Sequence, residues 1–427
     1  MKSKLLISLL PTIALGLAVS SCKASGGGQN SDTKVMVKDV YTVSVASESN
    51  AMGTVTGSGS YEEGSQVIIT ATPNEGLAFE AWYDGDTLVS TDPDYLFNMP
   101  SHNINYVARF EIANSNTGST FTFGTYPQTR VTDVSLTSKL FSKVKDIPTS
   151  TNSKNWTPFN WYINSSNETK FAWYIDVDMD GDSQNDYRGV YFTSYRPFNA
   201  TWESGEDKTY QLRNGYEKSV VYWFSYDPLT WRILSSSNNE YFVMSNKIVD
   251  SVEYSFFAEK GLQEKTDYQG NTGLAYPNNY KYSDLRKFLN VNFYNQAFTD
   301  FEKSKVLTTD VNNSQETTLY STNIYTCENT SDKVFAPSAS ELLNESYGFS
   351  KEYATFDQAR RLKLTDYALC LGEYRFSDEY DGNGNFLMRS PDKVNSFSVS
   401  AVYGTGYANG YYHSVVPTGV VPAMRIK

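Results

Sequence analysis

Residues 41–45, 66–72 and 105–110 are rich in β-branched and aromatic side chains, and their apolar and polar positions partly alternate, the period-two pattern of strands that bury one face. Glycine-centred turns separate them at Gly57-Ser-Gly59, Glu62-Glu-Gly64, Pro73-Asn-Glu-Gly76 and Asp84-Gly-Asp86. This pattern predicts a compact all-strand unit over residues 38–112, with Phe79 and Trp82 in its core because aromatic rings dominate small cores. Residues 113–120 contain the polar run Ala113-Asn-Ser-Asn-Thr-Gly-Ser119 and read as a linker. Strands resume at 189–194, 219–225, 230–234 and 240–245. Helices are fewer. Ser283-Asp-Leu-Arg-Lys-Phe-Leu-Asn290 opens on a capping residue and sets Leu285, Phe288 and Leu289 on one face, while Thr299-Asp-Phe-Glu302 and Ser338-Ala-Ser-Glu341 have capping-box spacing. The whole predicts a strand-dominated α+β chain, with a small β unit followed by a large α+β domain over residues 121–427.

Hydropathy changes character at the N-terminus. Lys2 and Lys4 precede an uncharged apolar run over residues 5–19, interrupted by Pro11 and Gly16 and followed by Val19-Ser-Ser-Cys22. Two cations, a short apolar stretch and then small residues predict an export signal over residues 1–21, too short for a lasting membrane span. Its ending resembles the bacterial lipobox. That resemblance implies lipid on Cys22 as the mature N-terminus, and a chain anchored to the outer face of the cell membrane with the membrane as its first partner. Residues 22–37, with Gly26-Gly-Gly28, have the composition of a flexible spacer.

Composition narrows the function. The 427 residues hold 36 Lys+Arg against 48 Asp+Glu, a formal charge of −12. Nucleic acid is excluded as the main partner, because holding a polyphosphate requires basic residues to displace its counterions. Two histidines leave few groups for acid/base or zinc chemistry. Gly-x-Ser-x-Gly, His-Glu-x-x-His, Walker and dinucleotide fingerprints are all absent. Asp378 with Glu379, or Asp366 with Glu373, would satisfy the two-acid requirement of a glycosidase, but any acidic protein offers dozens of such pairs. No catalytic residue is assigned.

Gly53-Thr-Val55, Tyr61-Glu-Glu-Gly64, Ala71-Thr-Pro-Asn-Glu-Gly76, Phe79-Glu-Ala-Trp82 and Tyr95-Leu-Phe-Asn-Met-Pro100 follow one another as in the divergent internalin-type B-repeat, which residues 38–112 resemble. The resemblance implies a β-grasp-like spacer or adhesion module of bacterial surfaces without catalytic residues. Further on, Phe123-Gly-Thr-Tyr-Pro-Gln128, Tyr187-Arg-Gly-Val-Tyr-Phe-Thr-Ser-Tyr-Arg-Pro197, Trp231-Arg-Ile-Leu234, Met388-Arg-Ser-Pro391 and Gly419-Val-Val-Pro-Ala423 resemble a bacterial surface domain of unknown function. The closing Arg-Ser-Pro and Gly-Val-x-Pro-Ala segments are similar in layout to C-type-lectin-like and formylglycine-generating-enzyme-like domains. Fold alone does not give function. The formylglycine-generating relatives use a cysteine pair, and Cys327 and Cys370 lack the matching local motif, so no activity is carried over.

Three groups of residues are candidate sites. Asp178, Asp180, Asp182 and Asp186 surround Gly181 at spacings that let carboxylates fold onto one hard cation, which makes calcium the one cofactor the sequence offers. An alternative register begins at Asp176, but its twelfth position is Tyr187, where a calcium loop needs Glu. A solvated acidic turn has the same spacing. Cys327 and Cys370 are the only thiols after Cys22, and either pair across a loop worth roughly 3–4 kcal/mol or stay as separate buried thiols. Tyr407, Tyr411 and Tyr412 lie on Gly-rich turns near the C-terminus, where rings either stack on a ligand or fill the core edge of a hairpin; Trp156 and Trp202 lie in polar loops as further ligand candidates, and Trp223 and Trp231 sit in strand-like runs and read as core. These features favour a lipid-anchored, noncatalytic module that recognises glycan, peptide or another surface protein, over an extracytoplasmic hydrolase or a passive spacer.

Overall fold

A computed structural model describes residues 38–149, 153–159, 172–196, 210–257 and 259–427. Cys22, the predicted signal, the whole spacer over residues 22–37, and Trp202 lie outside them. No helix of the described residues is long and apolar enough to cross a membrane.

The first unit is built from β1 (Val40–Ser47), β2 (Gly53–Thr56), β3 (Gly59–Glu62), β4 (Gln66–Pro73), β5 (Leu77–Asp84), β6 (Thr87–Ser90), β7 (Asp94–Asn98) and β8 (Ile104–Ile112). One sheet has the order β3-β1-β8-β5-β6, with β1 and β8 parallel, and the other the order β2-β4-β7. The alternation in β4 explains the layering: Val67, Ile69 and Ala71 are buried, and Ile68 between them is exposed. Trp82 is fully buried, tilted against Phe79 at 5.8 Å, and its indole N–H donates to the Pro93 carbonyl. Trp82 is therefore in the core as expected, and Phe79 is half-buried at its edge.

The polar segment after β8 is not a free tether. The Ala113 N–H donates to the Gly76 carbonyl at 3.0 Å, Gly118 to Ile233 at 2.8 Å, and Ile233 back to Ser119 at 2.9 Å. Its polar residues thus serve the backbone of the next domain, where β9 (Thr120–Arg130) begins at once. Gly76 makes this approach feasible. Its φ is +77°, and a Cβ there would sit 1.9 Å from the Thr120 carbonyl oxygen. Gly76→Ala is expected to destabilise the chain by about 1–3 kcal/mol, since backbone strain and a clash with backbone act together. Chemical denaturation checks this, and an unchanged midpoint would remove the junction as a constraint.

The large domain is strand-dominated, with several sheets and few helices. One sheet runs β10 (Thr157–Pro158), β11 (Ala172–Val177), β12 (Tyr187–Phe192), β13 (Val221–Ser237), β14 (Glu240–Ser245), then Ala423–Ile426 and Val334–Phe335. The long β13 also pairs with β9, with register shifts beside Tyr226 and Pro228 where the ladder breaks. Gln128 repairs the break by donating its side-chain amide to the Asp227 and Pro228 carbonyls at 2.8 and 3.0 Å. Trp223 and Trp231 are buried as expected. Trp156 is buried too, its N–H held by the Asp146 carbonyl at 2.7 Å, which corrects its reading as a ligand platform. A second sheet has the order Asp250–Val252, Thr418–Val420, Phe386–Pro391, Ser398–Val402, Gly410–His413.

Both expected capping boxes form, at Thr299/Glu302 and Ser338/Glu341. The helix capped by Ser283 runs further than the pattern predicts. It passes from Asp284–Lys287 through a π turn, Phe288–Phe293, to Tyr294–Ala297.

Candidate functional site

Tyr403-Gly-Thr-Gly-Tyr407 closes a tight turn in which the Gly406 N–H donates to the Tyr403 carbonyl and the Tyr403 N–H to the Tyr407 carbonyl. Gly406 has φ +87°, and a Cβ would meet the Asp357 carbonyl oxygen at 2.1 Å, so only glycine lets the turn lie this close to its neighbour. The turn holds the two tyrosine rings almost parallel, 14° apart at 6.5 Å. Phe356 leans on Tyr407 at 6.0 Å, and Tyr412 meets Tyr403 edge-on at 6.1 Å. A second aromatic row, Tyr210, Tyr374 and Phe376, packs at 5.1 and 5.0 Å. Together with Asn385 and Thr405 these rings line an open cleft of about 480 Å³. None of the nine lining residues is charged. Burial pushes the Tyr412 phenol well above its ordinary value, so it stays protonated, and its oxygen accepts from the Asn385 amide at 2.7 Å. The cleft therefore offers flat apolar faces edged by neutral hydrogen-bonding groups.

Of the predicted aromatic contacts, Tyr407 and Tyr412 line the cleft and Tyr411 does not. In the strand Gly410–His413 successive side chains alternate between faces, and Tyr411 is 52% exposed. Tyr210, Tyr374, Phe376 and Phe356 carry no local signal of their role.

A second cavity, about 520 Å³, gathers the motif residues Tyr126, Arg188 and Arg196 with Tyr174, Tyr367, Asp250 and Glu253. Asp284, Phe288, Asn292 and Gln296 line it from the helical run. Steps of four residues drift around an α-helix of 3.6 residues per turn, and the wider π turn takes that drift back, keeping these side chains in one row. Arg188 is bound bidentate by Asp176 at 2.7 Å on both arms, and its ring neighbour Tyr174 lies 4.3 Å below. Beside this cavity Glu373 is buried, and its carboxyl is pushed up to about 8 by burial although the Ser251 hydroxyl donates to it at 3.0 Å. A carboxyl with a raised folded-state pKa stabilises the fold fully below its ordinary value of 4.5, and the contribution is lost as pH rises through about 8. Thermal melts are thus expected to fall between about pH 5 and 8, and Glu373→Gln to flatten the fall; an identical slope in the variant would contradict this assignment.

The acidic loop does bring carboxylates together. Oxygens of Asp178, Asp180 and Asp186 all lie within 4.8 Å of one another. Asp182 stands outside that group and accepts from Gln184 and, across to the first unit, from Asn50. Asp176 is committed to Arg188, which removes the alternative register. Backbone N–H groups of Gly181 and Ser183 hold the Asp178 carboxyl below its ordinary value, while burial raises that of Asp186. One converging oxygen from each gives three ligands, where a calcium site takes six to eight oxygens. The thiols do not pair: Cys327 and Cys370 are both free. Cys370 is fully buried beside Tyr216 and Arg130, and Cys327 lies near Tyr254 and Tyr280, so each has its own surroundings and burial pushes both thiols up.

Residues 41–114 match the family model of the divergent InlB B-repeat domain, and residues 238–427 match that of a domain of unknown function (DUF6273). The chain carries a B-repeat followed by a DUF6273 domain. No curated protein and no solved structure matches the chain. The aromatic cleft falls within the DUF6273 match except for Tyr210, whereas Tyr126, Arg188 and Arg196 of the second cavity precede that match, in strands and loops that share its sheets.

Proposed function

We propose that this chain is a lipid-anchored extracytoplasmic surface protein whose DUF6273 domain grips a neutral glycan in the aromatic cleft and leaves its bonds intact. The observation that carries the reading is a cleft walled by seven aromatic rings and lined by no charged residue. Sugar rings present an apolar C–H face and a rim of hydroxyls, and phenol rings beside Asn385 and Thr405 match both. A charged peptide would meet no counter-charge there. The C-type-lectin-like layout of the Arg389-Ser-Pro391 and Gly419-Val-Val-Pro-Ala423 segments belongs to the same reading, as does the placement of the B-repeat as a spacer between membrane anchor and cleft. Lys2, Lys4, the apolar run over 5–19 and Cys22 support export and anchoring. The test is titration of neutral and charged oligosaccharides into the purified chain while reducing ends are counted. Saturable binding of neutral chains without new ends supports the proposal, and steady release of ends would replace it with hydrolysis.

A further inference from the structure

The hydrogen bonds at the floor of the aromatic cleft run in one direction, and Asn385 sets it. Its side-chain carbonyl accepts from the Gly404 N–H at 3.0 Å, which fixes the amide so that its NH2 group donates to the Tyr412 oxygen at 2.7 Å. Tyr412 is the acceptor in that bond, so its own O–H is left to donate, and no acceptor among the described residues takes that proton. Asn385 is buried and acts from behind, whereas Tyr412 is partly open and lines the cleft. Both acceptors at this point are engaged, the Asn385 carbonyl by Gly404 and the Tyr412 oxygen by Asn385. A sugar hydroxyl accepting from Tyr412 would bring a proton of its own and find no free acceptor beside it, which is costly in a partly dry site. An amide carbonyl takes the donated proton and brings none. A methyl group attached to that carbonyl matches the ring faces of the walls.

We propose that the cleft selects an N-acetylated amino sugar, whose acetyl carbonyl accepts from the Tyr412 O–H while its methyl lies against the neighbouring rings, with Asn385 as the positioning residue behind Tyr412. The inference rests on the glycan reading of the same cleft and narrows it to one class of sugar. An acetamido group is neutral, in keeping with a lining that holds no charged residue. The free amine of the same sugar would bring a cation to walls without a counter-charge and lack the carbonyl.

Calorimetric titration of the purified chain with the N-acetylglucosamine trimer, its de-acetylated form and the glucose trimer of the same linkage tests it. The acetylated trimer is expected to bind roughly tenfold tighter than the glucose trimer, and the de-acetylated form to bind least. The native chain reads this preference without any variant. Tyr412→Phe keeps the ring, removes the donor and should bring the two neutral trimers level. Asn385→Asp offers acceptors only, should draw the Tyr412 proton away from the cleft and should level them too. The ratio of the two affinities is the readout, since a merely structural loss lowers both alike. If the glucose trimer binds as tightly as the acetylated one, the acetamido inference falls and the glycan reading stands; if neither binds at about 10 mM, both fall. A native preference that Tyr412→Phe leaves unchanged overturns the inference, as does tighter binding of an N-acetylated triglycine amide than of either trimer.

Discussion

Tyr407→Ala is expected to weaken retention of a neutral glycan at least tenfold, about 1.4 kcal/mol, while Tyr411→Ala leaves it unchanged. Tyr407 is the middle ring of its wall, with Tyr403 nearly parallel on one side and Phe356 on the other. Removing it opens a gap that no neighbouring ring fills. The turn itself survives, because its two cross-bonds are backbone to backbone and alanine keeps them. Tyr411 is only four residues away and more exposed, but the strand sends it to the opposite face from Tyr412. The pair of variants therefore separates a shaped cleft from a merely tyrosine-rich surface. Binding assays with matched thermal melts decide it; loss of retention in Tyr411→Ala with none in Tyr407→Ala would sink the cleft as the site.

The same residues show how far a sequence reading reaches. Tyr407 is legible because Gly-rich spacing announces a turn and a turn displays its side chains, whereas Tyr412 lies in the strand Gly410–His413. Period-two alternation over Gly410–His413 sends Tyr411 to the face opposite Tyr412, outside the cleft. Tyr210, Tyr374 and Phe376 are not legible at all, since long-range packing alone brings them to the second wall. In the first unit, alternation in β4 suffices to predict which face is buried. The segment after β8 fails for the opposite reason. Its composition is that of a linker, but its hydrogen-bond partners are backbone carbonyls and N–H groups of β13, and backbone leaves no trace in composition.

Glu302→Ala is expected to cost about 3–5 kcal/mol and to uncouple the B-repeat from the large domain. One Glu302 oxygen accepts from the Ser49 hydroxyl at 2.6 Å and the Gly124 N–H at 2.9 Å; the other accepts from the Thr299 N–H at 2.8 Å and the Thr299 hydroxyl at 3.0 Å. The side chain is 1% exposed, so water does not replace it when it is removed. Donors from the first unit, from β9 and from the helix cap would all be left unpaired. Around this point the two domains share one apolar cluster, which includes Trp82 and Phe110 on one side and Phe121 and Trp231 on the other. The native chain from Val40 on is therefore expected to melt in a single transition, because neither domain can expose its half of that cluster cheaply. Glu302→Gln keeps the shape and one acceptor, and should fall between the native chain and the alanine variant. Scanning calorimetry reads both effects: a lower and split transition for Glu302→Ala is the expected trace. Two separate transitions already present in the unaltered chain would mean that the B-repeat folds on its own and that Glu302 joins domains whose stabilities are independent.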